Sequence, residues 1–375
     1  MVMTLLCAAL AMGVSDINTK LLGEIPNRMS EFVNAGKIAG AVTLVAANGK
    51  IIEIDATGYR DLEAKAPMKE DTIFQVMSMT KPVTATAVMM LVEEGRISLR
   101  TPIDQILPEF KGLQFNGKHV APTVLQVLSH VAGFSPDSPG EMSDEDRAGM
   151  TLADFTKKIA EAPLVTEPGS TYRYSGVGYA VLGRIVEVVS GKNLEDFFQE
   201  RIFRPLKMKD TTLFIPSQSV GRLASVYLYS KGEISKLPGD PARPRARFAG
   251  PAGGLYSTAR DMWAFFQCLG NYGQFDGVRI LSTASVETMS TSFTGDMLTG
   301  STDASGYGLG LIINKAPSSI LSLNSIGSFG HSGALGTNAW INPKRHLVGI
   351  YMAQILGNDD AKNAFQAMAN ASVDN

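Results

Sequence analysis

Strand-forming segments lie at both ends of this 375-residue chain, and helix-forming segments fill its middle. Near the start, residues 40–46 and 50–57 are rich in strand-forming residues and flank Asn48-Gly49, a pair typical of β-hairpin turns. The strand-like segments near the end are 307–314, 328–333, 337–341 and 346–354. This order predicts an α+β fold, in which an antiparallel sheet from both chain ends is flanked by helices and a mainly helical region is inserted.

The helical segments show apolar residues at spacings of three and four. A helix is predicted over 17–35 despite Pro26, with Gly36 as its C-cap, and another over 83–94. The other predicted helices are 123–131, 152–161, 176–189, 193–204, 258–269 and about 360–371. Together these segments make the middle of the chain helix-rich.

Composition narrows the class of function. A hydrophobic content of 45% with 19% charged residues indicates a large buried core and excludes a disordered chain. The net charge of −2 predicts no nucleic-acid partner. Cys7 and Cys268 make neither a disulfide framework nor a zinc pattern, and the four histidines show no metal-binding spacing. We therefore expect no metal and no cofactor.

The first sixteen residues, MVMTLLCAALAMGVSD, allow two interpretations. The apolar stretch resembles the middle of a signal peptide but lacks the usual positive start, and it is equally compatible with a packed terminal helix. It is too short to span a bilayer, so no stable membrane span is predicted. Localisation stays open between cytoplasmic and periplasmic or secreted, and no sequence marker indicates the oligomeric state.

The segment FQVMSMTKPVTATAVMM places Ser78 three residues before Lys81 at the start of a predicted helix. Residues at this spacing share one helix face. An amine so placed can take the proton of the hydroxyl, which makes Ser78 a nucleophile without a histidine. The S-x-x-K pattern is typical of serine acylation but is weakly specific alone.

Two further segments carry polar groups that could complete such a site. Tyr174, or alternatively Tyr172, lies where EPGSTYRYSGVG runs into a helix, and a nearby lysine ammonium would make its phenol easier to deprotonate. It could then serve as general base and later as general acid. Within FGHSGALG, Gly333 would let a substrate acyl group approach the backbone, and the amide of Ala334 could pair with that of Ser78 as an oxyanion hole.

Five segments in this order resemble the serine β-lactamase and penicillin-binding-protein superfamily over nearly the whole chain. They are similar to its nucleophile region, its L-L-x-H-T-S-G, Y-S-N and A-G-G-L-x-S-T segments, and its K-T-G or H-x-G segment. The segments are FQVMSMTKP, TVLQVLSHVAGF, EPGSTYRYSGVGYAVLG, PAGGLYSTARDMWAF and GHSGALG. The groups most resembled are the class C β-lactamases, the D-alanyl-D-alanine carboxypeptidases and D-aminopeptidases, and the family VIII carboxylesterases.

The resemblance implies a β-lactamase/transpeptidase-like fold and a role for each matched residue. Ser78 would be the acylated nucleophile, Lys81 its proton partner and Tyr174 the partner base and acid. The substrate would align along His331-Ser332-Gly333, and the oxyanion-hole amides would come from Ser78 and Ala334. By the same resemblance, His130 is structural rather than catalytic.

Two departures from the family pattern bear on the substrate. Gly176 replaces the usual Asn that contacts a substrate amide, and His331 replaces the usual Lys. The first change removes a polar contact to amide and β-lactam substrates, and the second weakens the anchoring of a carboxylate. Gly176 and His331 therefore favour a less charged substrate. No G-x-S-x-G motif occurs, which excludes the α/β-hydrolase type of esterase.

We therefore expect a serine hydrolase that acts on short-chain esters. The alternatives are a β-lactamase or D-amino-acid peptidase, a transacylase using the same site, and a family member that binds a ligand without turnover. The chain is expected to divide into a sheet domain, residues 14–80 with 285–375, and a mainly helical domain, residues 81–284. The active site would lie in the cleft between them.

Overall fold

A computed structural model of the chain describes residues 16–136, 146, 149–239, 241–242, 247–299, 304–316 and 322–374. All of the N-terminal segment except Asp16 lies outside these residues, so its two interpretations stay open. Within the described ranges, no helix has both the length and the apolarity needed to cross a membrane.

The secondary structure follows the predicted order of strands, helices and strands. The strands are β1 Asp16–Ile17, β2 Gly40–Ala47, β3 Lys50–Asp61, β4 Ala66–Pro67, β5 Phe74–Gln75, β6 Gln114–Phe115, β7 Lys118–His119, β8 Tyr227–Ser230, β9 Glu233–Lys236, β10 Tyr256–Ser257, β11 Gln274–Phe275, β12 Val278–Arg279, β13 Ser305–Tyr307, β14 Ile312–Asn314, β15 Phe329–Ser332, β16 Asn338–Asn342, β17 Leu347–Met352, β18 Ile355–Leu356 and β19 Val373–Asp374. The α-helices are α1 Thr19–Gly23, α2 Ile25–Asn34, α3 Thr80–Glu93, α4 Val124–Leu128, α5 Leu152–Ala160, α6 Gly176–Ser190, α7 Leu194–Phe198, α8 Ala259–Gly270, α9 Thr283–Met289 and α10 Asp360–Ala371.

Strands from both chain ends form one sheet, as the sequence predicts. Across the described residues its strand order is β13-β14-β15-β16-β17-β2-β3-β4, and every neighbouring pair is antiparallel. The two chain ends meet where β17 pairs with β2, from Leu347 opposite Ala47 to Met352 opposite Val42. The α+β architecture, an antiparallel sheet from both chain ends with helices on its faces, is thus confirmed.

Helices cover both faces of the sheet because side chains alternate across each strand. Val42 and Leu44 of β2 belong to the larger core, together with apolar residues of α3 and α8. Val45 belongs to the smaller core on the opposite face, with residues of α2 and α10. Helix α3 is buried on nearly every side. Lys81, its second residue, therefore lies deep between the sheet and the helical region.

Two predicted elements are divided in the structure, one next to a proline and the other at a glycine with positive φ. The helix predicted over 17–35 is two helices that meet at Glu24, and Pro26 lies in the first turn of the second, where no intrahelical amide bond is lost. The strand predicted over 307–314 is two strands, β13 and β14, joined through Gly310 at φ +77°. The proposed division into domains at 80/81 and 284/285 stays a prediction.

A glycine beneath an aromatic ring fixes the packing of the two strands that lead to β2. Trp340 of β16 pairs with Gly349 of β17, and a Cβ on Gly349 would lie 2.3 Å from the indole ring. We expect Gly349→Ala to lower the free energy of unfolding by about 1–3 kcal/mol, measured by urea denaturation, because the ring would have to move.

Gly23→Ala is the control for this substitution. A Cβ on Gly23 would meet no other atom within 4 Å, and the residue lies in a helix, so alanine is expected to be neutral or slightly stabilising there. Equal unfolding free energies for Gly349→Ala and the wild type would show that the ring contact does not constrain the sheet.

Candidate active site

Ser78 lies on a tight turn between a strand and the buried helix α3. The turn is the 3₁₀ segment Met77–Met79, which is separated from β5 by Val76 alone, and Met77 has a left-handed backbone with φ +50°. The amide of Val76 donates to the carbonyl of Leu255, which holds the turn against the A-G-G-like segment. The sequence thus positions Ser78 at the N-terminal end of a long helix, where partial positive charge favours a developing anion.

Lys81 is the hydrogen-bond partner of Ser78, as its spacing predicts. Its Nζ lies 3.0 Å from Ser78 Oγ and donates to the carbonyl of Ala252 at 2.8 Å. The residue is only 2% exposed. Burial lowers the pKa of Lys81 to about 7, because no carboxylate among the described residues lies close enough to stabilise the ammonium. A substantial fraction of Lys81 is therefore the neutral amine at pH 7.

Tyr174 is the tyrosine that the structure brings to this pair. Its ring centre lies 4.6 Å from Lys81 Nζ, and its residue is 41% exposed. Burial of the hydroxyl raises its pKa to about 12, and a hydrogen bond with Ser78 opposes this rise. The direction is opposite to the predicted one, because desolvation of the phenol outweighs the hydrogen bond with Ser78. Tyr174 thus holds its proton in the resting site.

Tyr172, the alternative tyrosine, lies farther from the chemistry. Its ring packs at 5.8 Å from both His130 and Tyr307, and burial raises its pKa. No contact between Tyr172 and Ser78 or Lys81 occurs in the described structure. These contacts favour Tyr174 as the residue beside the nucleophile.

His331 is buried and neutral. It is 3% exposed, and burial with the nearby Lys81 lowers its pKa to about 3. Its Nδ1 lies 2.7 Å from the carbonyl of Ser332, which can only accept, so Nδ1 carries the proton. Its Nε2 then accepts from the Tyr307 hydroxyl at 3.1 Å. Both ring nitrogens are thus occupied by the protein, and the imidazole supplies no positive charge to a substrate.

The segment after β15 is hydrogen-bonded to residues 76–79, the turn that carries Ser78 and is called the nucleophile turn below. Thr337 Oγ1 donates to the carbonyl of Val76 at 3.0 Å, and the amide of Gly333 donates to the carbonyl of Thr337 at 2.7 Å. A Cβ on Gly333 would lie 2.4 Å from the carbonyl oxygen of Val76. Protein atoms alone therefore require a glycine at this position, and the approach of a substrate acyl group stays a prediction. Ser332 and the exposed Ala334 flank it.

Gly176 opens helix α6 beside the carbonyl partner of Lys81. A Cβ built on Gly176 would meet only the Cβ of Ala252, at 3.6 Å, which is an ordinary contact. The glycine is therefore not required by packing. Its position leaves space for a side chain beside Ala252.

Sequence reasoning missed three residues that shape this site. Ala252 accepts from Lys81, Tyr307 occupies His331, and Thr337 ties β15 to the nucleophile turn. The first lies in the recognised PAGGLYST segment, but its role is played by a backbone carbonyl, which no side-chain pattern reveals. Tyr307 and Thr337 are distant in sequence from their partners, so only the fold brings these pairs together.

Comparison with known proteins shows to which family this sequence belongs. The sequence model of the Beta-lactamase family matches residues 25–372. Penicillin-binding protein 4 of Amycolatopsis lactamdurans is 32% identical over 308 residues, covering 80% of this chain and 75% of that protein. Esterase EstB of Burkholderia gladioli is 36% identical over 184 residues, covering 46% of this chain and 47% of that protein.

A solved structure shows the same fold over nearly the full length. EstCE1, described as a hydrolase with promiscuous acyltransferase activity, superposes with a TM-score of 0.83 at 22% identity, covering 94% of this chain and 99% of that one. The family match extends over almost the whole chain and includes the segments that carry Ser78, Lys81 and Tyr174. The chain belongs to the Beta-lactamase family, within the superfamily of serine β-lactamases, penicillin-binding proteins and related serine hydrolases.

Proposed function

We propose that this protein is a serine carboxylesterase that acts on short-chain, uncharged esters through an acyl-enzyme on Ser78. The observation that carries the proposal is the 3.0 Å contact between Ser78 Oγ and the buried Nζ of Lys81. A neutral amine within hydrogen-bond reach of a hydroxyl is a competent general base. Relatives named as esterases and hydrolases support this class of reaction.

The first half of the reaction follows from the arrangement of the proton carriers. Ser78 Oγ attacks the ester carbonyl carbon while its proton passes to neutral Lys81. The oxyanion would be held by the amides of Ser78 and Ala334. The bond from the carbonyl carbon to the alkoxy oxygen then breaks, and the alkoxide takes a proton from Tyr174. Tyr174 regains a proton from the Lys81 ammonium, which restores the neutral base.

The second half repeats these steps with water. Lys81 takes a proton from water through Tyr174, and the hydroxide attacks the acyl carbon. The bond from that carbon to Ser78 Oγ breaks, the Lys81 ammonium gives its proton to Oγ, and the carboxylic acid is released. The same geometry admits an alcohol in place of water, which would make the site a transacylase. The promiscuous acyltransferase activity named for EstCE1 supports measuring product partition with an added alcohol.

Two features of the site support an uncharged ester over a β-lactam or a peptide ending in a carboxylate. His331, where the resemblance leads us to expect a lysine, is neutral because it is buried, and its nitrogens are bound to Tyr307 and Ser332. Gly176 supplies no side-chain amide. A substrate with a carboxylate or an amide would therefore find neither the cation nor the side-chain amide that a site specific for it would provide.

Ser78→Ala tests the nucleophile. We expect kcat/KM for p-nitrophenyl butyrate to fall at least about a thousandfold, because the acyl-enzyme cannot form. The exposed Ser98→Ala serves as the matched control and should retain full activity. Retained ester turnover in Ser78→Ala would contradict the assignment. Nitrocefin turnover by the wild type as efficient as ester turnover would instead favour the β-lactamase alternative.

The pH dependence of kcat/KM tests Lys81 as the base. Below pH 7 the ammonium predominates and cannot accept the Ser78 proton, so the rate should rise with pH and level off above an inflection near the Lys81 pKa of about 7. Burial lowers the pKa of His331 to about 3 and that of His130 well below its ordinary value, so neither explains such an inflection. A flat profile between about pH 5 and pH 9 would exclude this role of Lys81.

Gly176→Asn tests the origin of the ester preference. The space beside Ala252 admits a side chain, and an amide there could bind an amide or β-lactam substrate. We expect the ratio of nitrocefin to p-nitrophenyl butyrate turnover to rise by on the order of tenfold. Gly176→Ala controls for the loss of glycine alone, and an equal ratio in both variants would show that Gly176 does not set this preference.

A further inference from the structure

A second buried histidine, His130, lies directly behind Tyr174 and takes no part in the proton transfers described above. It follows the short helix α4 and is 3% exposed. Its backbone is left-handed, with φ +60°, a conformation that histidine and asparagine adopt more readily than most residues. This turn directs both the carbonyl and the ring of His130 toward the segment that carries Tyr174.

His130 contacts that segment at three points. Its carbonyl accepts from the amide of Arg173 at 2.8 Å, and its Nδ1 accepts from the amide of Ser175 at 3.1 Å. Its ring centre lies 4.6 Å from that of Tyr174, at an interplanar angle of 41°. The two residues that flank Tyr174, and the Tyr174 ring itself, are therefore all held by one residue.

The protonation state of His130 is fixed by these contacts. A backbone amide can only donate, so Nδ1 is unprotonated and Nε2 carries the proton. Nε2 finds no hydrogen-bond acceptor among the described residues and lies among the rings of Tyr172, Tyr179 and Tyr307. Burial also holds the pKa of His130 well below its ordinary value, which keeps Nδ1 available as an acceptor.

The contacts of His130 limit the motion of the Tyr174 ring. Tyr174 lies in a loop and is 41% exposed. Without contacts on its inner side, its ring would be free to change rotamer. On its inner side the ring meets His130, and Lys81 Nζ lies 4.6 Å from its centre. A displacement of about 1 Å at such a group can lower a rate about a hundredfold.

We propose that His130 is a positioning residue for Tyr174, which holds the amides on either side of the tyrosine and the face of its ring so that the phenol stays beside Ser78 and Lys81. The inference rests on the proposed function, because the position of Tyr174 matters only if its hydroxyl carries a proton in the reaction. His130 itself touches neither substrate nor the reacting atoms.

A matched pair of variants isolates the acceptor at Nδ1. Asparagine and leucine are similar in size, but only the Oδ1 of His130→Asn can accept from the Ser175 amide. We expect kcat for p-nitrophenyl butyrate to fall about 10- to 100-fold in His130→Leu with little change in KM, and to stay within a few-fold of wild type in His130→Asn. Leucine is also strained at this positive φ, so His130→Gly, which is unstrained there and likewise lacks the acceptor, is measured beside it and should show the same loss of kcat.

A double-mutant cycle separates positioning from simple stabilisation. If His130 acts through Tyr174, adding His130→Leu or His130→Gly to Tyr174→Phe should lower kcat no further. Tyr227→Phe is the control, because it removes the acceptor of the Leu62 amide in the smaller core across the sheet. That variant should lose stability, measured by thermal denaturation, without losing kcat.

The outcomes are distinguishable from failure of the esterase proposal. Absence of Ser78-dependent turnover in the wild type would overturn the proposed function and this inference together. Ser78-dependent turnover with equal kcat in His130→Leu and His130→Asn, or with multiplicative losses in the double variant, would overturn the positioning role alone. Turnover unaffected by Tyr174→Phe would also overturn it, since there would be no role to position.

Discussion

The removal of one lysine from water is the constraint on which this site depends. Lys81 is the second residue of a helix that is apolar on nearly every side, and its neighbours are a hydroxyl, a backbone carbonyl and aromatic rings. A carboxylate beside it would restore the ammonium and prevent the role as a base that we propose for it. Burial also keeps the two neighbouring histidines, His130 and His331, in the neutral state.

The geometry around this lysine is assembled from distant parts of the chain. Ser78 and Lys81 come from one turn of helix, but the carbonyl of Ala252 and the end of β15 complete their surroundings. Thr337 and Gly333, between β15 and β16, join the sheet to the turn at Val76. The position of the nucleophile is thus set by the register of the sheet as well as by its own helix.

Local patterns predicted the parts of the molecule that depend on local physics. The Asn48-Gly49 hairpin, the helix from Asp360 to Ala371 and the contact of Ser78 with Lys81 each follow from short-range spacing. The pKa of Tyr174 was predicted in the wrong direction, because burial is a property of the assembled core. The orientation of the His331 ring and the hold of His130 on two amides depend on partners far away in sequence, which no single segment encodes.

The junction of the two chain ends in one sheet also governs how the protein can fold. During synthesis the β2–β3 hairpin emerges early. Strand β17, which pairs with β2, begins at Leu347 and emerges roughly three hundred residues later. Until then the edge of β2 presents unpaired backbone groups and an apolar surface, the features that promote intermolecular strand pairing. Closure over such a sequence separation is slow. The active site is complete only when the last strands of the sheet have formed. The risk of aggregation through the edge of β2 lasts until the same point.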